Sequence, residues 1–180
     1  SNTQVDFTKL QRFLLAPAVT WKPDPNTSLT VLANFQHDPS GGYFGFVPAQ
    51  GTFLFNPNGK IPTGFYDGDP NFDWFQRTQR SFAYYLDHRF DDTWTVRQNF
   101  RYQNIAVNFG RVASNGFVPG SFMTLARRGL TDAETLDGIT NDNQLEVKFR
   151  TGPLDHTMLF GLDFQWSIDD FQIGQANAPS

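Results

Sequence analysis

The chain is 180 residues long, with 14 Lys+Arg against 18 Asp+Glu and a formal net charge of −4. That length supports one domain, and the acidic balance argues against a general nucleic-acid binder, which carries a basic excess. Cysteine is absent, which excludes disulfide scaffolds, thiolate zinc sites and cysteine nucleophiles.

Charged residues make up 18% of the chain, below the roughly 25% of ordinary soluble domains. Phe alone supplies 20 residues, against 5 Tyr and 4 Trp. The longest uninterrupted apolar run, Phe13 to Val19, is far shorter than the roughly 18 residues of a spanning helix. No charged start followed by an apolar core and cleavage site is present, so no signal peptide is expected. Hydropathy alone reads such a chain as soluble. A membrane β-barrel, however, shows lipid only every second residue of a strand, so alternation is the informative test.

In chain order, Phe13 to Trp21 places Phe13, Leu15, Val19 and Trp21 on one face, and Pro23 to Thr27 reads as a short turn. From Leu29 to Gln36, Leu29, Val31, Ala33 and Phe35 alternate with Thr30, Leu32, Asn34 and Gln36. A long connection follows, roughly His37 to Phe75. From Arg80 to Phe90, Phe82, Tyr84, Leu86, His88 and Phe90 share one face. Asp91 to Thr93 turns the chain into Trp94, Val96, Phe100 and Tyr102, which alternate with Thr95, Arg97, Asn99, Arg101 and Gln103. A second long connection covers roughly Gly110 to Asn141. Leu145, Val147 and Phe149 then alternate with Glu146, Lys148 and Arg150; Thr151 to Asp155 turns; Met158, Phe160, Leu162, Phe164 and Trp166 close the series before a loop-like tail from Gln175 to Ser180.

The pattern predicts an all-β antiparallel meander of about six long strands with two long loops, short and long connections alternating as in an outer-membrane barrel. Folding about Asp92 sets Leu86 opposite Gln98, Tyr84 opposite Phe100 and Phe82 opposite Tyr102; folding about Thr151 to Asp155 sets Phe149 opposite Met158, Val147 opposite Phe160 and Leu145 opposite Leu162. Trp21, Phe90, Trp94 and Phe149 sit beside the short turns, as an interfacial aromatic belt does. His88 and Gln98 on the apolar face run against a lipid-facing surface. A soluble β-sandwich also alternates and turns tightly, and stays open as an alternative. Bacterial barrels begin at about 8 strands, so six are expected to be a piece of something larger.

Several stretches resemble TonB-dependent siderophore receptors of the ferrichrome or ferric-hydroxamate type. They are Ala16 to Asp24, Gly42 to Thr52, Pro57 to Lys60 with Pro62 and Thr63, Asp87 to Arg101, Asp142 to Leu145, Thr151 to Thr157 and Gly161 to Phe164, in family order along the chain. The resemblance implies a segment of a 22-stranded transmembrane barrel, with 1–180 a partial wall lacking the plug domain and TonB box. It further implies location in the Gram-negative outer membrane, ferric siderophore as the transported ligand, a plug domain of the same parent chain, TonB and the lipid bilayer as partners, and no resident cofactor or nucleic acid. A passive pore, or a small secreted β-domain holding a sugar or peptide on its loop aromatics, are the alternatives.

The resemblance also implies a ligand site. In such receptors an aromatic-Gly-aromatic element followed by Pro contacts the siderophore, and here it maps to Phe44 and Phe46 around Gly45, before Pro48, with Tyr43 adjacent. A ferric complex whose iron is already saturated needs aromatic surface and hydrogen-bond donors rather than metal ligands. Phe53, Phe55, Tyr66, Phe72 and Trp74 enrich the same loop, and Phe109 and Phe117 are weaker candidates in the second. The charged face, with Arg89, Arg97, Arg101, Asp87, Glu146, Lys148 and Asp163, is expected to meet the plug. Arg127 and Arg128 read as a solvated loop.

Enzyme readings find little support. Asp67-Gly68-Asp69-Pro70-Asn71 begins like a calcium loop, but Gly is not at its sixth position and Thr78 stands where the bidentate Glu belongs. His37, His88 and His156 lack ligand-like spacing, and no nucleophile elbow, P-loop or dinucleotide fingerprint occurs.

Overall fold

Alternating β-branched and aromatic residues favour pleated strands, and the chain forms little else. The computed structural model describes residues 3–42 and 45–178. They contain seven strands: β1 (Leu10–Leu15), β2 (Ala18–Asp24), β3 (Thr27–Gly41), β4 (Trp74–Arg89), β5 (Trp94–Phe117), β6 (Leu125–Thr151) and β7 (Leu154–Ala178). All pair antiparallel in one sheet, in sequence order, with β1 and β2 both lying on β3. These two are one edge strand interrupted at Ala16 and Pro17. Pro17 has no N–H to give the ladder, but its carbonyl accepts from Ala33 N at 3.0 Å. The register continues across the gap, from Leu15 opposite Phe35 to Ala18 opposite Leu32. The meander therefore has the six positions that the alternation predicts.

Carboxylates and a glycine close the short turns. Asp24 Oδ1 accepts from Asn26 N at 2.7 Å, and Asp91 Oδ1 from Thr93 N and Trp94 N at 2.7 and 2.9 Å. Gly152 stands at φ 58° in the two-residue link to β7, the conformation that the first central residue of a type II′ hairpin needs. That link is tighter than the sequence suggests, and the register of β6 on β7 differs accordingly. Val147 faces Met158, Leu145 faces Phe160 and Phe149 faces His156, a shift of two residues from the expected pairing. Such a shift keeps every side chain on its own face, so apolar matching does not distinguish the two registers. The β4–β5 pairing is the expected one, with Leu86 on Gln98, Tyr84 on Phe100 and Phe82 on Tyr102.

The second connection departs further. Instead of a loop from Gly110 to Asn141, β5 and β6 run on as a long ribbon, and only residues 118–124 are loop. Past the apolar belt both faces of a strand meet polar surroundings, so the alternation that reveals a strand disappears while the backbone pairing continues.

One sheet face is apolar and exposed. Along β7 it runs from Met158 through Leu162, 72% exposed, to Ile168, close to the 9–11 tilted residues that cross a bilayer. The other face carries Arg97 between Asp87 and Glu146 at 2.9 and 3.0 Å, and Lys148 on Glu146 at 2.9 Å. These charges, expected to meet a plug, satisfy one another along the wall. Among the described residues the buried hydrophobic side chains are Ala83, Val112 and Ala113 alone, and each strand packs chiefly on its sheet neighbours. Among the described residues this is a single layer, without the second sheet of a sandwich.

Three polar residues of the apolar face are joined in one line, whereas Asn141 on the same face leaves its Oδ1 without a hydrogen-bond partner among the described residues. Tyr84 OH donates to Gln98 Oε1 at 2.7 Å, Gln98 Nε2 to Asn143 Oδ1 at 2.7 Å, and Asn143 Nδ2 to the Leu162 carbonyl at 3.4 Å. The chain of bonds crosses β4 to β7. His88 Nδ1 lies 2.9 Å from Thr27 Oγ1.

The two faces predict opposite tolerances at adjacent positions. In the intact parent protein folded into lipid vesicles, Leu162→Arg is expected to lower unfolding stability by about 2–4 kcal/mol. Asp163→Arg, on the charged face, is expected to change it by about 0.5 kcal/mol or less. Denaturant titration reads both, and equal losses would contradict the assignment of faces.

Candidate functional site

β5 outruns β4. The last pair is Trp74 with Gly110, and beyond it the β5 edge has no neighbouring strand. Backbone N–H groups on such an edge must find other acceptors. The connection between β3 and β4, residues 42–73, supplies them from side chains. Asp73 Oδ1 accepts from Val112 N at 2.7 Å and Asp67 Oδ2 from Ser114 N at 2.9 Å. Two carboxylates thus stand where the next strand's carbonyls would be, and they fasten the loop to the wall. Val112 and Ala113, two of the few buried hydrophobic residues, lie at this dock.

Local chemistry holds the carboxylates in place. Asp73 N bonds the Asp69 carbonyl at 2.7 Å, and Asn71 N the Asp69 carboxylate at 2.9 Å. The hydroxyl of Tyr66 donates to Asp73 Oδ2, and Arg127 Nη1 reaches the Gly68 carbonyl at 3.3 Å. A side chain at Gly68 would collide with Asp73 and the Tyr66 ring, so glycine here serves close approach. Burial, with the carboxylates of Asp73, Asp67 and Asp69, pushes the Tyr66 hydroxyl above the ordinary tyrosine range. The segment that begins like a calcium loop therefore spends its acids on backbone and phenol.

Between loop and wall lies a cleft of about 100 Å³ lined by Phe7, Lys9, Tyr66, Trp74, Phe109 and Arg111, among others. Phe109 pairs across to Phe75 on the charged face, half-buried. Arg111, two residues on and hence on the same face, sets its guanidinium 4.9 Å from the centroid of the Phe46 ring, within cation–π reach. Phe46 itself is 69% exposed. Of the sequence candidates, Phe109 lines the cleft with Arg111, and Phe46 stands over the Arg111 guanidinium. Tyr43 and Phe44 lie outside the described residues.

Phe117 belongs elsewhere. It packs near Phe122, ring centroids 6.4 Å apart, beside a separate apolar hollow of about 190 Å³. There Asn56 Nδ2 and Asn58 Nδ2 donate to the Phe122 carbonyl at 3.0 and 3.3 Å, tying the large loop to the small one. Phe53 and Phe55 are more than 80% exposed, and Tyr66 is occupied by Asp73.

Lys9, Arg111 and the two docking aspartates escaped the sequence reading. Arg111 had one usable signal, its two-residue spacing from Phe109. Lys9 had none, because it reaches the cleft from before β1. On the charged face below the loop, Asp38 is almost fully buried between Arg12 and Arg77, at 2.8 and 2.6 Å.

A family model described as TonB dependent receptor-like, beta-barrel matches residues 20–180. The ferrioxamine receptor of Yersinia enterocolitica is 39% identical over 166 residues, covering 92% of this chain and 23% of the relative. The ferrichrome outer membrane transporter/phage receptor of Escherichia coli K12 is 38% identical over 189 residues, covering 94% and 25%. Among solved structures, the closed form of the ferric-catecholate import receptor Fiu of E. coli K12 superposes with a TM-score of 0.74 at 20% identity, covering 93% of this chain and 26% of that one. A Pseudomonas aeruginosa FpvA–pyoverdine–iron complex gives 0.75 at 16% identity, covering 96% and 23%. The chain spans about a quarter of the length of these relatives.

If the two carboxylates dock the loop, Asp73→Ala should make residues 45–72 a preferred site of limited proteolysis in the intact parent protein, with the strands still resistant. The pH dependence follows from Tyr66. A raised folded pKa gives stability that is complete below the ordinary value of about 10 and is lost only as pH climbs through the raised one. Protection of the loop should therefore persist through pH about 10. Loss of protection centred there would overturn this account of Tyr66.

Proposed function

This chain belongs to the TonB-dependent receptor β-barrel family, and from that membership we propose that it forms part of the wall of an outer-membrane receptor for TonB-dependent uptake of ferric siderophores of the hydroxamate type. The apolar face lies against lipid, and the charged face lines the lumen and meets a plug domain encoded elsewhere in the parent chain. The loop of residues 42–73 and the β5–β6 ribbon stand on the extracellular side. The ligand is captured there on aromatic surface, and TonB-driven movement of the plug releases it inward.

The observation that carries this reading is the docked loop. It holds Phe46 beside Arg111, next to Phe109, over the lumenal face and above the apolar belt, where a ligand entering the barrel would first touch the wall. The relatives named for ferrioxamine and ferrichrome point to hydroxamates. Tyr43 and Phe44, three and two residues before Phe46, belong to the same proposed contact, and Phe117 is a weaker member. The iron arrives fully chelated, so the wall has to supply stacking and hydrogen bonds rather than metal ligands. The alternative of a passive pore makes a different prediction for uptake.

A strain lacking the parent gene should fail to grow on a ferric hydroxamate as sole iron source, and the gene should restore growth only when TonB is present. TonB-independent uptake would favour the pore. In the purified parent protein, Phe46→Ala and Phe109→Ala should each weaken binding about tenfold, the equivalent of about 1.4 kcal/mol and within the range of one lost aromatic contact. Wild-type affinity in both variants would remove these rings from the site.

A further inference from the structure

The cleft under the loop holds two acids and two bases with opposite hydrogen-bonding fates. Asp73 gives one oxygen to Val112 N and the other to Tyr66, and Asp67 accepts from Ser114 N. Lys9 and Arg111 line the same cleft, yet among the described residues neither makes an ion pair. The other carboxylates of this face nearby, Asp132 opposite Phe109 and Glu134 opposite Val107, lie on β6 and do not line the cleft. The acids are turned to the backbone, and the bases keep their N–H donors for whatever enters.

Size limits what that is. A space of about 100 Å³ admits a single functional group and not a whole ferric complex. Phe7 and Phe109 line the same cleft, and apolar surface beside a pair of opposite charges lowers the local dielectric and strengthens their attraction. A guanidinium offers paired donors that match a carboxylate. The backbone at Phe7 adds a mark of specialisation: its φ of 64° makes it the one non-glycine residue with positive φ among those described. Strain of this kind in a bulky residue concentrates at binding sites.

We propose that this cleft is a side-arm subsite, in which Arg111 and Lys9 together hold a carboxylate pendant from the ferric complex while the complex itself stacks outside on Phe46. The inference rests on the siderophore-receptor reading and narrows it, because a ferric tris-hydroxamate core is neutral and gives these cations nothing to hold. The subsite thus selects among hydroxamates by the charge of their periphery.

The test uses the purified full-length parent protein and a matched pair of probes. Both are one linear ferric tris-hydroxamate, capped at its terminal amine with acetyl, which is neutral, or with succinyl, which leaves one carboxylate. Wild-type protein should bind the succinyl probe about tenfold more tightly. Arg111→Gln should bring the ratio of the two affinities to about one, Lys9→Gln should reduce it in the same direction, and Arg111→Lys should retain part of it. Because Arg111 also supports Phe46, the ratio, and not either affinity alone, is the readout. Equal binding of the probes by wild type, or a ratio unmoved by Arg111→Gln, overturns the subsite while leaving the receptor reading intact. Binding of neither probe by wild type overturns the receptor reading and the subsite with it.

Discussion

Every feature of this chain depends on one constraint: within a bilayer the backbone has no water to bond and must satisfy itself. A sheet does this only through its neighbours, so the ladder from β1 to β7 carries what a core carries in a soluble domain. The side chains are then free to follow the solvent on each side. Leu162 and Phe164 look outward while Asp163 looks inward. The chain reads as hydrophilic because half of each crossing faces a charged interior.

The same constraint, relaxed outside the membrane, builds the site. Where β4 stops and β5 continues, the bare N–H groups of Val112 and Ser114 would be free to recruit any passing strand. Asp73 and Asp67 cap them instead. Capping an edge and positioning a loop become a single act, since the residues that satisfy the edge belong to the loop being positioned. The cleft is a by-product: the loop can approach only as near as its carboxylates reach, and the gap is left to Phe109 and Arg111.

What was legible in the sequence tracks what alternation can encode. The six strand positions, the faces and the β4–β5 register were readable, because lipid on one side and charge on the other write a period of two into Leu29–Gln36 and Arg80–Gln103. The β5–β6 ribbon was not, because Arg111–Phe117 and Leu125–Leu136 have polar surroundings on both sides. The β6–β7 register was two residues out, since apolar matching is blind to even shifts. Of the proposed contacts, Phe109 lines the cleft and Phe46 rests against Arg111, Phe117 lies in a different hollow, and the roles of Lys9 and Asp67 depend on a fold that brings distant segments together.

That blindness to even shifts gives a purpose to the polar line on the lipid face. Greasy side chains are interchangeable, and a strand displaced by one full pleat would still show oil to oil. Tyr84, Gln98 and Asn143 are not interchangeable with their neighbours two places along: Leu86 and Phe82, Val96 and Phe100, and Leu145 offer no matching partner, and Asn141 alone could stand in. The side-chain line therefore works as an index mark scribed across three staves, β4 to β6, since its last bond goes to a backbone carbonyl that any even shift of β7 would still offer. It aligns only when each has slid to its proper notch, and in doing so it fixes the height at which β5 emerges from the membrane to meet the loop.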